Sequence, residues 1–301
     1  MGGPRAAIDL GSNSVLLTVL SERGEVLHDE ARVVGLGKGL GDGGAFDAER
    51  MEVAIEALGA YAARAEELGV PAGEIVAIAT SASRRASNSG EFYERVEREC
   101  GVRFEIISGA REAELTFRGA VEGFAGEGQA VAVIDLGGGS TEVVQGIGLE
   151  MGRGISLELG STRLTERFLG EGAYRQEDLA ALRAHVRTLC EQISPSGASD
   201  TLAISVAGTA TTLAGAALGH DRWIPEEIHG ATLTRNQLST LAQRLMELPP
   251  ERRLELAPFA PKRINALLAG ASVIELVLER LGLEQTTVSV RGLRFGALSE
   301  G

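Results

Sequence analysis

The stretch IDLGSNSV at residues 8–15 is repeated, with small changes, as IDLGGGST at residues 134–141. In both copies an apolar run ends at an aspartate, and small residues follow that cannot fill a core. The two aspartates, Asp9 and Asp135, lie 126 positions apart, which is the size of one ordinary domain. The spacing predicts two related domains that arose by duplication.

The composition indicates a globular protein that binds neither nucleic acid nor membrane. With 301 residues, of which 44% are hydrophobic, the chain can bury the cores of about two domains. Its net charge of −13 argues against a general affinity for nucleic acid or an anionic membrane, because both need a basic face. The sequence shows no apolar run long enough for a membrane span and no leader peptide, so we expect a cytoplasmic protein.

The segments that flank the two copies follow the same order. Residues 5–34 and 130–160 each have the pattern of three short strands joined by turns, and helical and strand patterns then alternate. This order predicts an α/β protein with two duplicated domains, each a mixed sheet flanked by helices. Three glycines in residues 123–129 mark the boundary. We therefore predict domains at 1–125 and 126–301, with the option that the last helix packs back on the first.

Four segments share a pattern in which a buried strand ends and small polar residues follow: 9–14, 79–84, 135–141 and 207–212. Strand ends of this kind line the ligand crevice of an α/β sheet, and glycine lets successive backbone amides approach phosphate oxygens. One such segment alone would be read as a plain turn, but four at equivalent places favour a phosphate site. The residues predicted to bind phosphate in the two repeated turns are Gly11, Ser12, Asn13, Ser14, Gly137, Gly138, Gly139 and Ser140.

Acidic residues adjoin the two repeated turns. Asp9 and Asp135 stand directly before them, and Glu142 follows Asp135 by seven residues, across the predicted hairpin. Carboxylates in such places suit a magnesium ion that also binds water and phosphate oxygens. We predict a Mg²⁺ or Mn²⁺ site formed by Asp9, Asp135 and Glu142. The position in the first copy that matches Glu142 is Leu16, so the extra acid belongs to the second half.

The combination of IDLGSNS, VIDLGGGSTE and a later AGT resembles the actin-like, sugar-kinase-like ATPase superfold. Together with EIISGAREAEL, GSTRLTERF and PKRINALLAG, it resembles the exopolyphosphatase and guanosine pentaphosphate phosphatase (Ppx/GppA) family from about residue 5 to residue 298. The resemblance implies two actin-like (ribonuclease H-like) domains that hold phosphates in an interdomain cleft. It also implies a homodimer.

The resemblance assigns two roles within the first domain. Glu112 matches the family's glutamate that activates or orients the attacking water, and Glu114 is the less favoured candidate. Without the resemblance, Glu112 would be read as an acid that stabilises the start of a helix. Arg84 matches the family's phosphate-facing arginine, although Arg85 beside it is an open alternative.

Further matches lie in the second half of the chain. The residues that match the family's metal-binding acids and its last phosphate loop are Asp135, Glu142, Gly208 and Thr209. Arg163 and Arg263 could add positive potential along a substrate path. We favour the interpretation that both are ordinary exposed arginines of the surface. The chain departs from the family at GLRFG, where Phe295 replaces the usual acid, which argues against a polar role there.

These residues predict a Mg²⁺-dependent phosphoanhydride hydrolase (EC 3.6.1 type) that removes the terminal phosphate of inorganic polyphosphate or converts guanosine pentaphosphate (pppGpp) to ppGpp. Two alternatives stay open. A small-molecule kinase of the same superfold would use ATP as donor, and a non-catalytic sensor would bind polyphosphate or the alarmone without turnover. The presence of every expected acid argues against the sensor.

Overall fold

The chain folds into two compact units, each built on one mixed sheet. The computed structural model describes residues 3–38, 40, 44–170, 172–197 and 200–300. The first unit comprises Met1–Gly119 with Leu293–Gly301, and the second comprises Ala120–Gly292. Each has its own hydrophobic core. None of the described helices has the length and apolar character needed to cross a membrane.

The first sheet has the strand order β3-β2-β1-β4-β5. Its strands are β1 (Arg5–Leu10), β2 (Ser14–Leu20), β3 (Val26–Val33), β4 (Val76–Ala79) and β5 (Phe104–Ile106). The first three form an antiparallel meander, and β4 and β5 run parallel to β1. A parallel pair needs a crossover connection, and helices supply it here.

Among the described residues, four helices precede the second sheet: α1 (Ala48–Glu67), α2 (Ser81–Arg85), α3 (Ser89–Cys100) and α4 (Gly109–Val121), with a 3₁₀ turn at Ala72–Glu74. The helix α1 begins where the Asp47 side chain accepts a hydrogen bond from the Arg50 amide at 3.2 Å. It packs on the sheet through apolar residues at helical spacing, among them Leu58 and Tyr61. The helix α3 ends at Gly101, whose φ of 70° is the left-handed conformation that favours glycine.

The second sheet has the strand order β10-β11-β9-β6-β7-β8. Its strands are β6 (Ala130–Leu136), β7 (Thr141–Ile147), β8 (Glu150–Leu157), β9 (Leu202–Val206), β10 (Thr232–Thr234) and β11 (Gln285–Val288). Five of them repeat the first sheet: β6, β7 and β8 form the meander, and β9 and β11 take the places of β4 and β5. The predicted α/β class with two duplicated, helix-flanked mixed sheets is confirmed.

Helices of the second unit surround this sheet. They are α5 (Ser161–Leu164), α6 (Gln176–Cys190), α7 (Ala207–Leu218), α8 (Pro225–Ile228), α9 (Arg235–Glu247) and α10 (Leu267–Leu281), with a π-helical turn at Thr165–Leu169 and 3₁₀ turns at Pro250–Leu256 and Ile264–Ala266. The helix α10 is buried along most of its length, as its apolar sequence requires.

The final helix, α11 (Leu293–Leu298), packs in the first unit, where Phe295 is buried against Ala7 and Leu20. Its Gly296 lies so close to α4 that an added Cβ would stand 1.9 Å from the carbonyl oxygen of Leu115. The position at which the resemblance expected an acid is therefore part of a core, which agrees with the absence of a polar role.

Two predicted turns are helices. The segment at residues 79–84 was expected to be a loop, but α2 begins at Ser81, so Arg84 lies on a helix. The expected turn at Gly208 and Thr209 is also wrong, because both residues belong to the first turn of α7, which follows β9 directly. In both places the small residues lie in the first turn of a helix that follows a strand directly, and composition alone does not distinguish such a helix start from a turn.

Candidate functional site

The first repeated turn presents unpaired backbone amides. The Gly11 amide donates to the Ser14 carbonyl at 2.9 Å and closes the hairpin between β1 and β2. The carbonyls of Ser12 and Asn13 accept hydrogen bonds of 2.7 to 2.9 Å from the backbone of residues 34–37. Within the described residues the amides of Ser12 and Asn13 donate to no acceptor. Two adjacent free amides are what an anion-binding loop requires.

Asp9 stands at the end of β1, beside this turn. Its Oδ1 atom is buried and has no hydrogen-bond partner in the described part of the chain. Burial raises the pKa of Asp9 to about 7, while the positive charge of Arg294 lowers it and the negative charge of Glu112 raises it further. A buried carboxylate oxygen without a partner is costly, and a bound cation would remove that cost. The environment of Asp9 therefore fits the metal-ligand role predicted for it.

Arg84 and Glu112 form an ion pair in the first unit. The Nη1 atom of Arg84 donates to Oε2 of Glu112 at 3.1 Å and to the carbonyl of Ile107 at 2.7 Å. The helix α2, which carries Arg84, is tied to α3 by a 2.5 Å hydrogen bond between the hydroxyls of Ser83 and Tyr93. About a third of each side chain of the ion pair is exposed, 32% for the arginine and 34% for the glutamate. The pair is therefore accessible to a substrate.

The two alternatives to this pair have other surroundings. Glu114, one residue beyond Ala113 on α4, binds Arg111 at 2.8 Å, and Arg111 also pairs with Glu300. Arg85 is exposed and forms no ion pair with any described residue. The structure thus associates Glu112 with Arg84, and it leaves Glu114 in a separate network.

The second repeated turn has the same hairpin geometry as the first. The Gly137 amide donates to the Ser140 carbonyl at 3.0 Å, and the amides of Gly138, Gly139 and Ser140 find no acceptor among the residues that the structure describes. Gly160, just before α5, packs on this turn: an added Cβ would lie 2.2 Å from the Gly138 carbonyl oxygen. Only glycine fits there, so the backbone at Gly160 packs directly against the backbone of the turn.

Asp135 and Glu142 lie directly opposite each other on β6 and β7. The Oε1 atom of Glu142 accepts a 2.5 Å hydrogen bond from the Ser156 hydroxyl on β8, which fixes the carboxylate. Carboxylate oxygens are the ligands that a hard divalent cation prefers. Asp9 belongs to the other unit, and over the described ranges no group of three or more His, Cys, Asp or Glu residues forms a preformed metal site. The three-acid Mg²⁺ or Mn²⁺ site stays a prediction.

The start of α7 forms a third anion-binding candidate. Helices leave their first backbone amides unpaired and carry a partial positive charge there, and Gly208 and Thr209 lie in this turn. The Thr209 hydroxyl is 3.1 Å from that of Ser161. The Arg263 guanidinium lies against Gly208, since a Cβ added to Gly208 would stand 2.5 Å from Nε.

Arg263 is exposed, as the sequence suggested, but its position is specific. It has no ion-pair partner in the described residues, whereas Arg163, the other arginine considered, binds Glu158 at 3.0 Å. A cation next to the positive end of a helix is unfavourable unless an anion lies between them. Sequence reasoning considered Arg263 but favoured a plain surface role, because its contact with Gly208 spans 55 positions and has no local signal.

Comparisons with known proteins show which family this chain resembles. The family model of the Ppx/GppA phosphatase family matches residues 19–300. "Exopolyphosphatase 2" of Mycobacterium tuberculosis is 35% identical to this chain over 306 residues, which cover 94% of each protein.

Two crystal structures are similar over nearly the whole chain. One is the type II variant of the Aquifex aeolicus Ppx/GppA phosphatase, with a TM-score of 0.89, 30% identity and 99% coverage of both chains. The other is an exopolyphosphatase from Cytophaga hutchinsonii, with a TM-score of 0.80, 29% identity and coverage of 98% of this chain and 96% of that one.

Proposed function

This chain belongs to the Ppx/GppA phosphatase family, and we propose that it is an exopolyphosphatase that removes the terminal phosphate of inorganic polyphosphate, guanosine pentaphosphate, or both. The name of the M. tuberculosis relative supports the first substrate. The observation that carries the proposal is the contact between Arg84 and Glu112. It puts a cation suited to phosphate 3.1 Å from a carboxylate that can orient water.

The substrate phosphate competes with Glu112 for Arg84. A guanidinium offers five N–H donors, and a terminal phosphoryl group carries more charge than a carboxylate, so phosphate displaces the glutamate. The displaced Glu112 carboxylate then lies beside the phosphorus with a free oxygen. The free amides of Ser12 and Asn13 are a further binding site for phosphate oxygens in the same unit.

Water attacks the terminal phosphorus with Glu112 as its base. Glu112 accepts a hydrogen bond from the water and takes its proton as the new P–O bond forms. The anhydride P–O bond breaks, and its electrons leave with the bridging oxygen on the shortened chain. The products are orthophosphate and a chain that is one phosphate shorter.

A divalent cation suits the acids of this chain. The residues proposed to hold Mg²⁺ or Mn²⁺ are Asp9, whose Oδ1 has no partner in the described structure, and the facing acids Asp135 and Glu142. When bound, the ion would offset the negative charge of the phosphates. In the second unit, the turn at residues 137–140 and the start of α7 with Arg263 offer binding groups for further phosphates.

The direct test is release of orthophosphate from polyphosphates of defined length, pppGpp and ATP, with Mg²⁺, with Mn²⁺ and with a chelator. The proposal expects metal-dependent release from polyphosphate or pppGpp and little from ATP. Turnover of none of these substrates would contradict it, and transfer of phosphate from ATP to a small molecule would favour a kinase. Sedimentation would test the predicted homodimer.

A further inference from the structure

The only tryptophan of the chain, Trp223, is exposed and stands next to a second aromatic ring. Its relative exposure is 47%, and its ring centre lies 6.3 Å from that of Phe259 at an angle of 46°. An exposed indole beside another ring is a stacking surface, because any planar aromatic ligand can cover it. Neither residue has a role in the phosphate chemistry described above.

Phe259 and Arg263 lie along one face of α7. A Cβ added to Gly215 would stand 2.6 Å from Cζ of Phe259, as one added to Gly208 would stand 2.5 Å from Nε of Arg263. The two glycines are seven residues apart, which places them on the same side of the helix and about 10 Å from each other. The guanidinium thus marks the phosphate end of α7, and the ring lies two turns further along.

The basic residues near this aromatic pair have no acidic partners among the residues that the structure describes. Arg222 adjoins Trp223, and Lys262 and Arg263 follow Phe259 by three and four residues; none of the three forms an ion pair with a described residue. Asp221 is the nearest acid in sequence to the indole. In a chain with a net charge of −13, cations without an ion-pair partner in the described structure, beside an exposed indole and a half-buried phenyl ring, favour a ligand that is both anionic and aromatic.

We infer that Trp223 and Phe259 hold the base of a nucleoside polyphosphate whose phosphates lie at the start of α7, beside Gly208 and Arg263. The inference rests on the proposed phosphate site. The gap of about 10 Å along α7 is one that a ribose and a short phosphate chain bridge. Inorganic polyphosphate lacks a base, so the two substrate classes share the phosphate groups and differ at the aromatic pair.

Because Trp223 is the only tryptophan, its fluorescence reports on this surface directly. The experiment titrates the metal-free protein with GDP, GTP and pppGpp, and separately with tripolyphosphate, and measures both tryptophan emission and calorimetric affinity. We expect the nucleotides to quench the emission and tripolyphosphate to leave it unchanged. Nucleotide binding by calorimetry without any change in emission would overturn the inference.

Variants distinguish the binding of the base from the binding of the phosphates. Trp223→Leu, at an exposed position, should weaken nucleotide binding about 10-fold and leave tripolyphosphate affinity unchanged. The matched control is Ile147→Ala, which alters another exposed apolar side chain of the same unit and should change neither affinity. An unchanged nucleotide affinity in Trp223→Leu would overturn the inference.

The result also separates this inference from the proposed function. Binding and hydrolysis of tripolyphosphate with no nucleotide binding would overturn the aromatic base site and leave the exopolyphosphatase proposal standing. A failure to bind or hydrolyse either class would overturn both.

Discussion

Asp135 and Glu142 face each other across β6 and β7 at the register position where Asp9 faces Leu16 across β1 and β2. The two sheets have the same meander, so these four residues are equivalent in pairs. Both copies of the duplicated segment have the aspartate. Only the second copy has an acid, Glu142, in the position opposite to it. The second unit therefore has two carboxylates at its hairpin where the first has one.

This asymmetry predicts different effects of alanine at the two equivalent positions. Glu142→Ala should lower metal-dependent turnover at least about 10-fold and raise the Mg²⁺ concentration that gives half of the maximal rate, because a carboxylate that holds the ion is lost. Leu16→Ala is the matched control and should affect only packing. Titration of initial rates with Mg²⁺ checks this, and equal Mg²⁺ requirements in the two variants would contradict it.

Asp9 should make the stability of the metal-free protein depend on pH. Its folded-state pKa of about 7 lies above the ordinary 3.8, so the folded protein keeps a proton that the unfolded chain releases. The contribution of Asp9 to the free energy of unfolding is fully present below pH 3.8 and is lost as the pH rises to about 7. Asp9→Asn removes the ionisation, and it should stabilise the protein at pH 8 by about 2 kcal/mol but not at pH 4.

Urea unfolding in the presence of a chelator at the two pH values measures this difference in the free energy of unfolding. The exposed Asp200 provides a control, because Asp200→Asn should change stability little at either pH. If Asp9→Asn were less stable than the wild type at pH 8, the ionised carboxylate would stabilise the folded protein. That result would contradict the account, in which the buried Oδ1 atom has no hydrogen-bond partner in the described structure.

The contact between Gly208 and Arg263 predicts a binding defect without a folding defect. In Gly208→Ala the new Cβ displaces the guanidinium, which is exposed and can move, and alanine suits a helix better than glycine. KM for polyphosphate should rise about 10-fold with little change in melting temperature. Gly90→Ala on α3, where a Cβ meets nothing within 4 Å, should leave KM unchanged. An unaltered KM in Gly208→Ala would remove Arg263 from the proposed phosphate site.

The sequence was sufficient for the fold because its strongest signals are long and repeated. The two IDLG stretches with their flanking strands predicted two equivalent meanders, and the observed strand orders agree. The helix α1 was recognisable because its apolar face extends over five turns. The order of sheet and helix in both halves followed from these patterns.

Contacts between particular residues of distant segments were not predictable, although the sequence left open that the last helix packs on the first domain. The helix α11 has six residues, too few for a periodic pattern, and its packing depends on Phe295 reaching Ala7 and Leu20. The strand β10 has three residues and pairs with β11, more than 50 positions away. The position of Arg263 over Gly208 and the pairing of Arg84 with Glu112 likewise depend on tertiary structure, although the motifs had singled out Arg84 and Glu112 separately.

The central claim is that Glu112 orients and deprotonates the attacking water, and the rate constant of Glu112→Gln tests it most directly. Glutamine keeps the size of the side chain and can still accept a hydrogen bond from Arg84, but it is not a base. We predict that kcat for orthophosphate release falls by about 10² to 10⁴ with KM little changed. Glu114→Gln, two positions along α4, should retain nearly all activity. A Glu112→Gln enzyme with the kcat of the wild type would contradict the account.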